Sequence, residues 1–275
     1  MAPLESRPPD GGGRLFFRAT KRTTAAKALA MFDLTIDAGV ARLRLRRDEA
    51  RNAIPLAGWG ALEGRLEEAR ESGARLLVVE GSPVAFCAGA DLADFPALIE
   101  DPKAVSAFRQ SMRSSLERLR DLPFPTLACI EGPCFGAGVA LAMACDLRIA
   151  GEGARFAITP AKLGISYPQE DVARVISLVG PGQASRLLFA AVPIDGQEAA
   201  RIGLIEIFAA DAQAAAAELA AAIGASSLES LAVLKRAIGL AEQGGLRDQE
   251  QDPRFDALFG GAELRRRLAA LRGPR

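Results

Sequence analysis

Residues 126–146, TLACIEGPCFGAGVALAMACD, form one strand–turn–helix unit whose reading sets the architecture. Thr126 to Ile130 is a short apolar run with β-branched members, the pattern of a buried strand. EGPCFGAG follows, with Gly132, Pro133, Gly136 and Gly138 crowded together, a composition that breaks regular structure. VALAMAC is apolar on every side and is closed by Asp146, which predicts a fully buried helix. The first turn of a helix has backbone N–H groups without intrahelical acceptors. Gly136, Ala137 and Gly138 have almost no side chain, so those donors stay reachable, and the aligned peptide dipoles favour negative charge there. Close strand–helix packing alone would also explain small residues at this turn. A second stretch of the same kind upstream, FCAGAD at 86–91, favours a functional reading.

Working outward, Ala41, Leu43 and Leu45 alternate with Arg42 and Arg44, a half-buried strand, and the ordered chain begins at Phe32. Leu56, Trp59, Leu62, Leu66 and Ala69 form a helical stripe, and 75–79 is a buried strand. Val105, Phe108, Met112 and Leu119 mark an amphipathic helix stopped by Pro123 and Pro125. Residues 146–150 and 155–158 are further short strands, TPAKLGISYP is a loop, and from Gln169 onward the pattern is helical only. Asp195 and Glu198 make a capping box, and helices are expected at 212–223 and 231–238. The fold class is therefore α/β, with repeated strand–helix units in a core at 32–210 and an all-helical C-terminal region at 211–275. Residues 1–31, with RPPDGGG and six basic residues against two acidic, read as a disordered extension or as a start assigned upstream of Met31, outside the fold.

Composition narrows the function. The 275 residues are 49% hydrophobic and 25% charged with zero formal net charge, the profile of a soluble globular protein with a sizeable core. Aromatics are only 5%, so neither charge nor stacking suggests nucleic acid. No uninterrupted apolar run reaches membrane-spanning length. Four cysteines without a CxxC pair point to a reducing, cytoplasmic setting with no disulfide framework. The chain contains no histidine, which removes Ser-His-Asp and Cys-His machinery and the commonest zinc ligand. A base would have to be a carboxylate, Lys, Tyr or Cys. A dinucleotide fingerprint fails at Leu141, where glycine or alanine is needed. Gly164-Ile165-Ser166-Tyr167-Pro168 is not a nucleophile elbow.

RNAI at 51–54, AFCAGADL at 85–92, EGPCFGAGVALAMACD at 131–146, TPAKLGISYP at 159–168, EAARIGLI at 198–205 and LKRAI at 234–238 together resemble the crotonase superfamily, the enoyl-CoA hydratase/isomerase group. The resemblance runs over about 32–260. It implies a crotonase-like spiral of ββα units, assembly as a homotrimer or hexamer, an acyl-CoA thioester as substrate, and no cofactor apart from the coenzyme A carried by that substrate. By position it makes the backbone N–H groups of Ala88 and Ala137 the pair that holds the thioester oxygen as an enolate forms. One such donor is typically worth about 3 kcal/mol in the transition state. It also places coenzyme A against Arg51, Ala53, Ala88, Gly89, Ala90 and Asp91, although Arg51 reads nearly as well as a solvated charge.

Hydratases of this group use two glutamates, and the matching positions hold Ala140 and Pro160, neither of which can transfer a proton. The TPA-x-LG-x-x-Y pattern resembles the methylmalonyl-CoA and ethylmalonyl-CoA decarboxylase branch and makes Tyr167 a catalytic candidate. Against that branch, Ala90 stands where the methylmalonyl-CoA enzymes carry histidine. Tyr167 reads alternatively as a wall of the acyl site, and Glu170 and Asp171 as first-turn acids favoured by the helix dipole. The expectation is an acyl-CoA lyase or isomerase working through a thioester enolate. The alternative is a catalytically silent acyl-CoA-binding or assembly protein.

Overall fold

A computed structural model describes residues 28–271. The chain opens with β1 (Phe32–Asp37) and β2 (Val40–Leu45), then α1 (Leu56–Glu71), β3 (Leu76–Glu80), α2 (Phe95–Glu100) and α3 (Pro102–Arg120). The quoted stretch supplies β4 (Thr126–Ile130), β5 (Pro133–Phe135) and α4 (Ala137–Ala144), followed by β6 (Leu147–Ala150) and β7 (Arg155–Ala157). Then come α5 (Gln169–Ser185), β8 (Ile194–Asp195), α6 (Gly196–Arg201), β9 (Ile207–Phe208) and α7 (Ala212–Gly224). The last helices are α8 (Leu228–Glu242), α9 (Gln251–Gly260) and α10 (Ala262–Leu271).

The strands build two sheets. A six-stranded sheet runs β1-β2-β3-β4-β6-β9, antiparallel at the β1–β2 edge and parallel elsewhere; a three-stranded sheet runs β5-β7-β8. β4 enters the large sheet and β5 the small one before helix α4, and β6 and β7 repeat the step before α5. This is the ββα spiral implied by the resemblance.

The large sheet is covered on both faces, which explains why its central strands lack alternation. Leu77 and Val79 of β3 and Ala128 and Ile130 of β4 face the main core, with Trp59, Leu62 and Leu66 of α1 and Leu116 and Leu119 of α3. Leu76, Val78, Leu127 and Cys129 point to the other face, against Ala212, Ala216 and Ala220 of α7. Alanines four apart let that helix lie close to the sheet. Burying one leucine-sized side chain contributes about 1.5–3 kcal/mol, so these two layers hold the frame.

The structure differs from the sequence expectations at four places. Residues 169 onward are not only helical: Ile194–Asp195 pairs with β7 and Ile207–Phe208 with β6. Two-residue strands are too short to show a period and take their conformation from the partner strand. The turn at 131–138 contains a strand of its own, β5, for the same reason. The start of the fold also lies before Phe32, because Ala28 and Met31 are buried and Arg46 N–H donates to Met31 O at 2.8 Å. The rest of the N-terminal segment, residues 1–27, lies outside the described residues. At Asp195 the side chain accepts from Glu198 N–H at 2.8 Å as a cap should, but Glu198 turns to Arg186 and Arg201 rather than back to the cap.

No single helix among the described residues is long and apolar enough to cross a membrane.

Candidate active site

Helix α4 is buried at all eight positions, as its all-round apolar sequence predicts. The chain enters it through Gly136, whose φ of 51° and ψ of −118° belong to the glycine-favoured half of backbone space. Val139 and Ala140 N–H both turn back to Gly136 O, at 3.0 and 3.3 Å. Among the described residues, Ala137 N–H has no acceptor. The N-terminus of a buried helix therefore presents an open donor.

The loop 85–91 is fastened against this helix end. Cys87 N–H donates to Pro133 O at 3.2 Å and Phe135 N–H to Cys87 O at 2.9 Å, a parallel bridge between Cys87 and Cys134. The approach is closer than a side chain permits. A Cβ on Gly138 would sit 2.2 Å from Cys87 O, and one on Gly89 would sit 2.8 Å from Phe135 O and 3.1 Å from Ala137 N. A side chain at Gly89 would thus cover the open donor.

On its other side the loop pairs with the RNAI segment. Ala88 N–H donates to Arg51 O at 2.9 Å, Ile54 N–H to Gly89 O at 2.7 Å, and Asp91 N–H to Ile54 O at 2.9 Å. This corrects the sequence expectation for Ala88: its N–H is engaged inside the protein and cannot also hold a ligand oxygen. Two residues on, Ala90 N–H has no acceptor among the described residues. Spacing along the motif does not distinguish the two alanines; the pairing with 51–54 does. The open donors beside each other are Ala90 and Ala137.

Two residues missed by the sequence reading hold the RNAI segment in shape. Asn52 is fully buried at φ 56°; its Oδ1 accepts from Arg47 N–H at 2.7 Å and its Nδ2 donates to Ala85 O at 2.8 Å. The Arg47 guanidinium donates to Ala53 O at 2.8 Å and Asp91 Oδ2 at 2.6 Å. Asn tolerates the left-handed region better than other side chains, the one signal in the sequence that could have marked Asn52. Arg51 also has positive φ, and its side chain is exposed. Ala53 is buried with its carbonyl held by Arg47, and Asp91 caps the turn that follows by accepting from Ala93 N–H. Burial works against the Asp91 charge, but the Ala93 and Arg47 hydrogen bonds outweigh it and hold the carboxyl below its ordinary value. Asp91 is therefore a structural anion.

The acid–base candidates are all engaged. Tyr167 is 9% exposed and its hydroxyl donates to Gly136 O at 3.0 Å. Burial first, and the nearby Asp171 carboxylate second, hold that phenol well above its ordinary value. Its proton is fixed on a backbone carbonyl rather than offered to a substrate. Glu170 pairs with Arg113 at 2.8 Å. Asp171 is 2% exposed and pairs with Arg174 at 2.9 Å; burial pushes its carboxyl up to about 6 against the pull of that guanidinium. All four cysteines are buried free thiols, and burial pushes Cys87, the one in the loop, up to about 12. A thiolate nucleophile is thereby excluded at neutral pH. Among the described residues no cluster of three or more His, Cys, Asp or Glu could hold a metal. What remains is two neighbouring backbone donors on an apolar, helix-dipole-facing floor, an arrangement suited to negative charge developing on a carbonyl oxygen.

A sequence model described as enoyl-CoA hydratase/isomerase matches residues 35–251. The chain is 34% identical over 192 residues to a Mycobacterium tuberculosis (strain CDC 1551 / Oshkosh) protein named "Probable enoyl-CoA hydratase echA6", covering 69% of this chain and 76% of that one. Among solved structures it is similar to an enoyl-CoA hydratase/isomerase family protein from Hyphomonas neptunium, with a TM-score of 0.83 and 35% identity over 88% of this chain and 94% of that one. It is also similar to an enoyl-CoA hydratase from Bacillus anthracis, with a TM-score of 0.82 and 27% identity over 88% and 96%.

Proposed function

We propose, from the premise that the chain belongs to the enoyl-CoA hydratase/isomerase family, that it processes an acyl-CoA thioester through an enolate whose oxygen is held by Ala90 N–H and Ala137 N–H. The observation that carries this reading is the juncture of the 85–91 loop with the buried helix end, where both N–H groups lack an internal acceptor. Coenzyme A enters as part of the substrate, and the exposed Arg51 side chain beside the loop suits its phosphates.

The reaction class follows from what the site lacks. Ala140 is fully buried within α4 and Pro160 opens the 159–164 turn; by resemblance these are the glutamate positions of hydratases. Every carboxylate the sequence offered nearby is paired elsewhere. Reactions that reach the enolate without a side-chain base, decarboxylation above all, fit better than addition of water. The same engagement of the polar groups favours one second reading, a silent acyl-CoA carrier that kept the oxyanion site. Assembly as a homotrimer or hexamer belongs to this proposal, supported by the uncovered apolar residues Leu234 and Ile238 on α8 and Phe255 and Phe259 on α9.

The test is incubation with a panel of acyl-CoA esters that includes malonyl types, followed by mass spectrometry of the thioesters and by melting curves. Loss of carbon dioxide from a malonyl-type ester supports the enzyme reading. Binding without turnover selects the carrier. Rapid hydration of crotonyl-CoA refutes the argument from Ala140 and Pro160.

A further inference from the structure

We infer that Tyr167 is a positioning residue that locks the Gly136–Ala137 peptide and thereby aims and strengthens the Ala137 N–H donor; this rests on the oxyanion reading above. The hydroxyl donates to Gly136 O at 3.0 Å, and Gly136 O and Ala137 N–H are the two ends of one peptide group. No cis peptide bond occurs among the described residues, so these two ends point in opposite directions. Tyr167 therefore grips the peptide from the side away from the open donor.

The grip matters because a glycine forms one flank of this peptide. Its plane is set by ψ of Gly136 and φ of Ala137. Gly136, at φ 51° and ψ −118°, has conformational freedom that other residues lack. Space does not fix it either, since the nearest atom to a Cβ there would be Thr159 Oγ1 at 3.7 Å. The helical bonds from Val139 and Ala140 hold Gly136 O from within its own element. Tyr167 supplies the tie from outside, from the end of the 159–168 loop with its ring in the main core. Hydrogen bonds in a chain polarise one another, by about 10–30% per bond. The O–H···O=C–N–H relay therefore makes Ala137 N–H a better donor to an oxyanion. Burial keeps the phenol protonated, which the relay requires.

The experiment uses the whole protein with hexanoyl-CoA labelled with ¹³C at the thioester carbonyl, and reads the bound C=O stretch by infrared difference spectroscopy. In the wild type the band moves to lower frequency on binding. In Tyr167→Phe, ester affinity and melting temperature stay close to wild type while most of that displacement is lost, and turnover of the processed ester falls by about 10–10²-fold. An equal displacement in both proteins overturns the inference and leaves the oxyanion site standing. A wild-type ester that binds with no displacement refutes the oxyanion site itself. Should the variant fail to fold, the wild type still decides, because the chain has a single tyrosine. The one ¹³Cζ-tyrosine resonance should move with hexanoyl-CoA and not with free CoA, and a resonance indifferent to both overturns the relay.

Discussion

Gly138→Ala should damage both stability and the site, although alanine is the better helix former. Gly138 lies inside α4 and is not among the positive-φ residues, so intrinsic propensity favours alanine by about 1 kcal/mol. The added Cβ would meet Cys87 O at 2.2 Å. Ordinary C···O contacts begin near about 3.3 Å, so loop and helix end must part by about 1 Å. Such overpacking in a filled core costs about 1–3 kcal/mol. Repulsion therefore cancels or exceeds the propensity gain, and the net loss is up to about 2 kcal/mol, equivalent to as much as ~8 °C in melting temperature. The same 1 Å opens the spacing of the two donors, and a misplacement of that size costs about 10²-fold in rate. Calorimetry and thioester turnover measure the two effects. Gly60→Ala and Gly64→Ala are internal controls: both sites are exposed on α1 with nothing within 4 Å of a new Cβ, and each should gain up to about 1 kcal/mol. A Gly138→Ala protein that melts at or above wild type and keeps full turnover would refute the close approach on which the site depends.

Two further outcomes are expected. Asp171, with its folded pKa raised to about 6, binds its proton more tightly in the folded than in the unfolded state, where a carboxyl titrates near about 3.9. Its contribution to stability therefore rises as pH falls from about 6 to about 4, by up to about 3 kcal/mol. Urea unfolding across that range should show wild type gaining on Asp171→Asn as the medium is acidified, and parallel curves would contradict the burial of this carboxyl. In light scattering the protein should run as a trimer or hexamer, and paired Leu234→Glu and Ile238→Glu changes, at positions 58% and 62% exposed, should lower the mass; a wild-type monomer at micromolar concentration would remove the assembly proposal.

The sequence by itself determined the large elements and the family. Residues 126–146 gave a strand and an all-apolar helix because burial on every side leaves no alternative to an apolar sequence, and α4 is buried at all eight positions. The small residues Gly136, Ala137 and Gly138 marked a helix end whose backbone donors stay reachable. The absence of histidine excluded whole mechanisms. Only the tertiary structure decided which alanine of the 85–91 loop leaves its N–H open. Ala88 and Ala90 are identical side chains in one motif, and they differ in what Arg51 and Ile54 take from the backbone beside them. Hydrogen-bond direction is a property of pairing between distant segments, and a residue letter carries none of it. The same holds for Tyr167, whose position in the 159–168 loop suggested a proton donor to substrate. The fold sets its hydroxyl 3.0 Å from Gly136 O, 31 residues away in sequence, and so directs it at the protein's own peptide. The two-residue strands Ile194–Asp195 and Ile207–Phe208 were hidden for the same reason: their conformation is set by the strands they pair with, across contacts that local sequence does not encode.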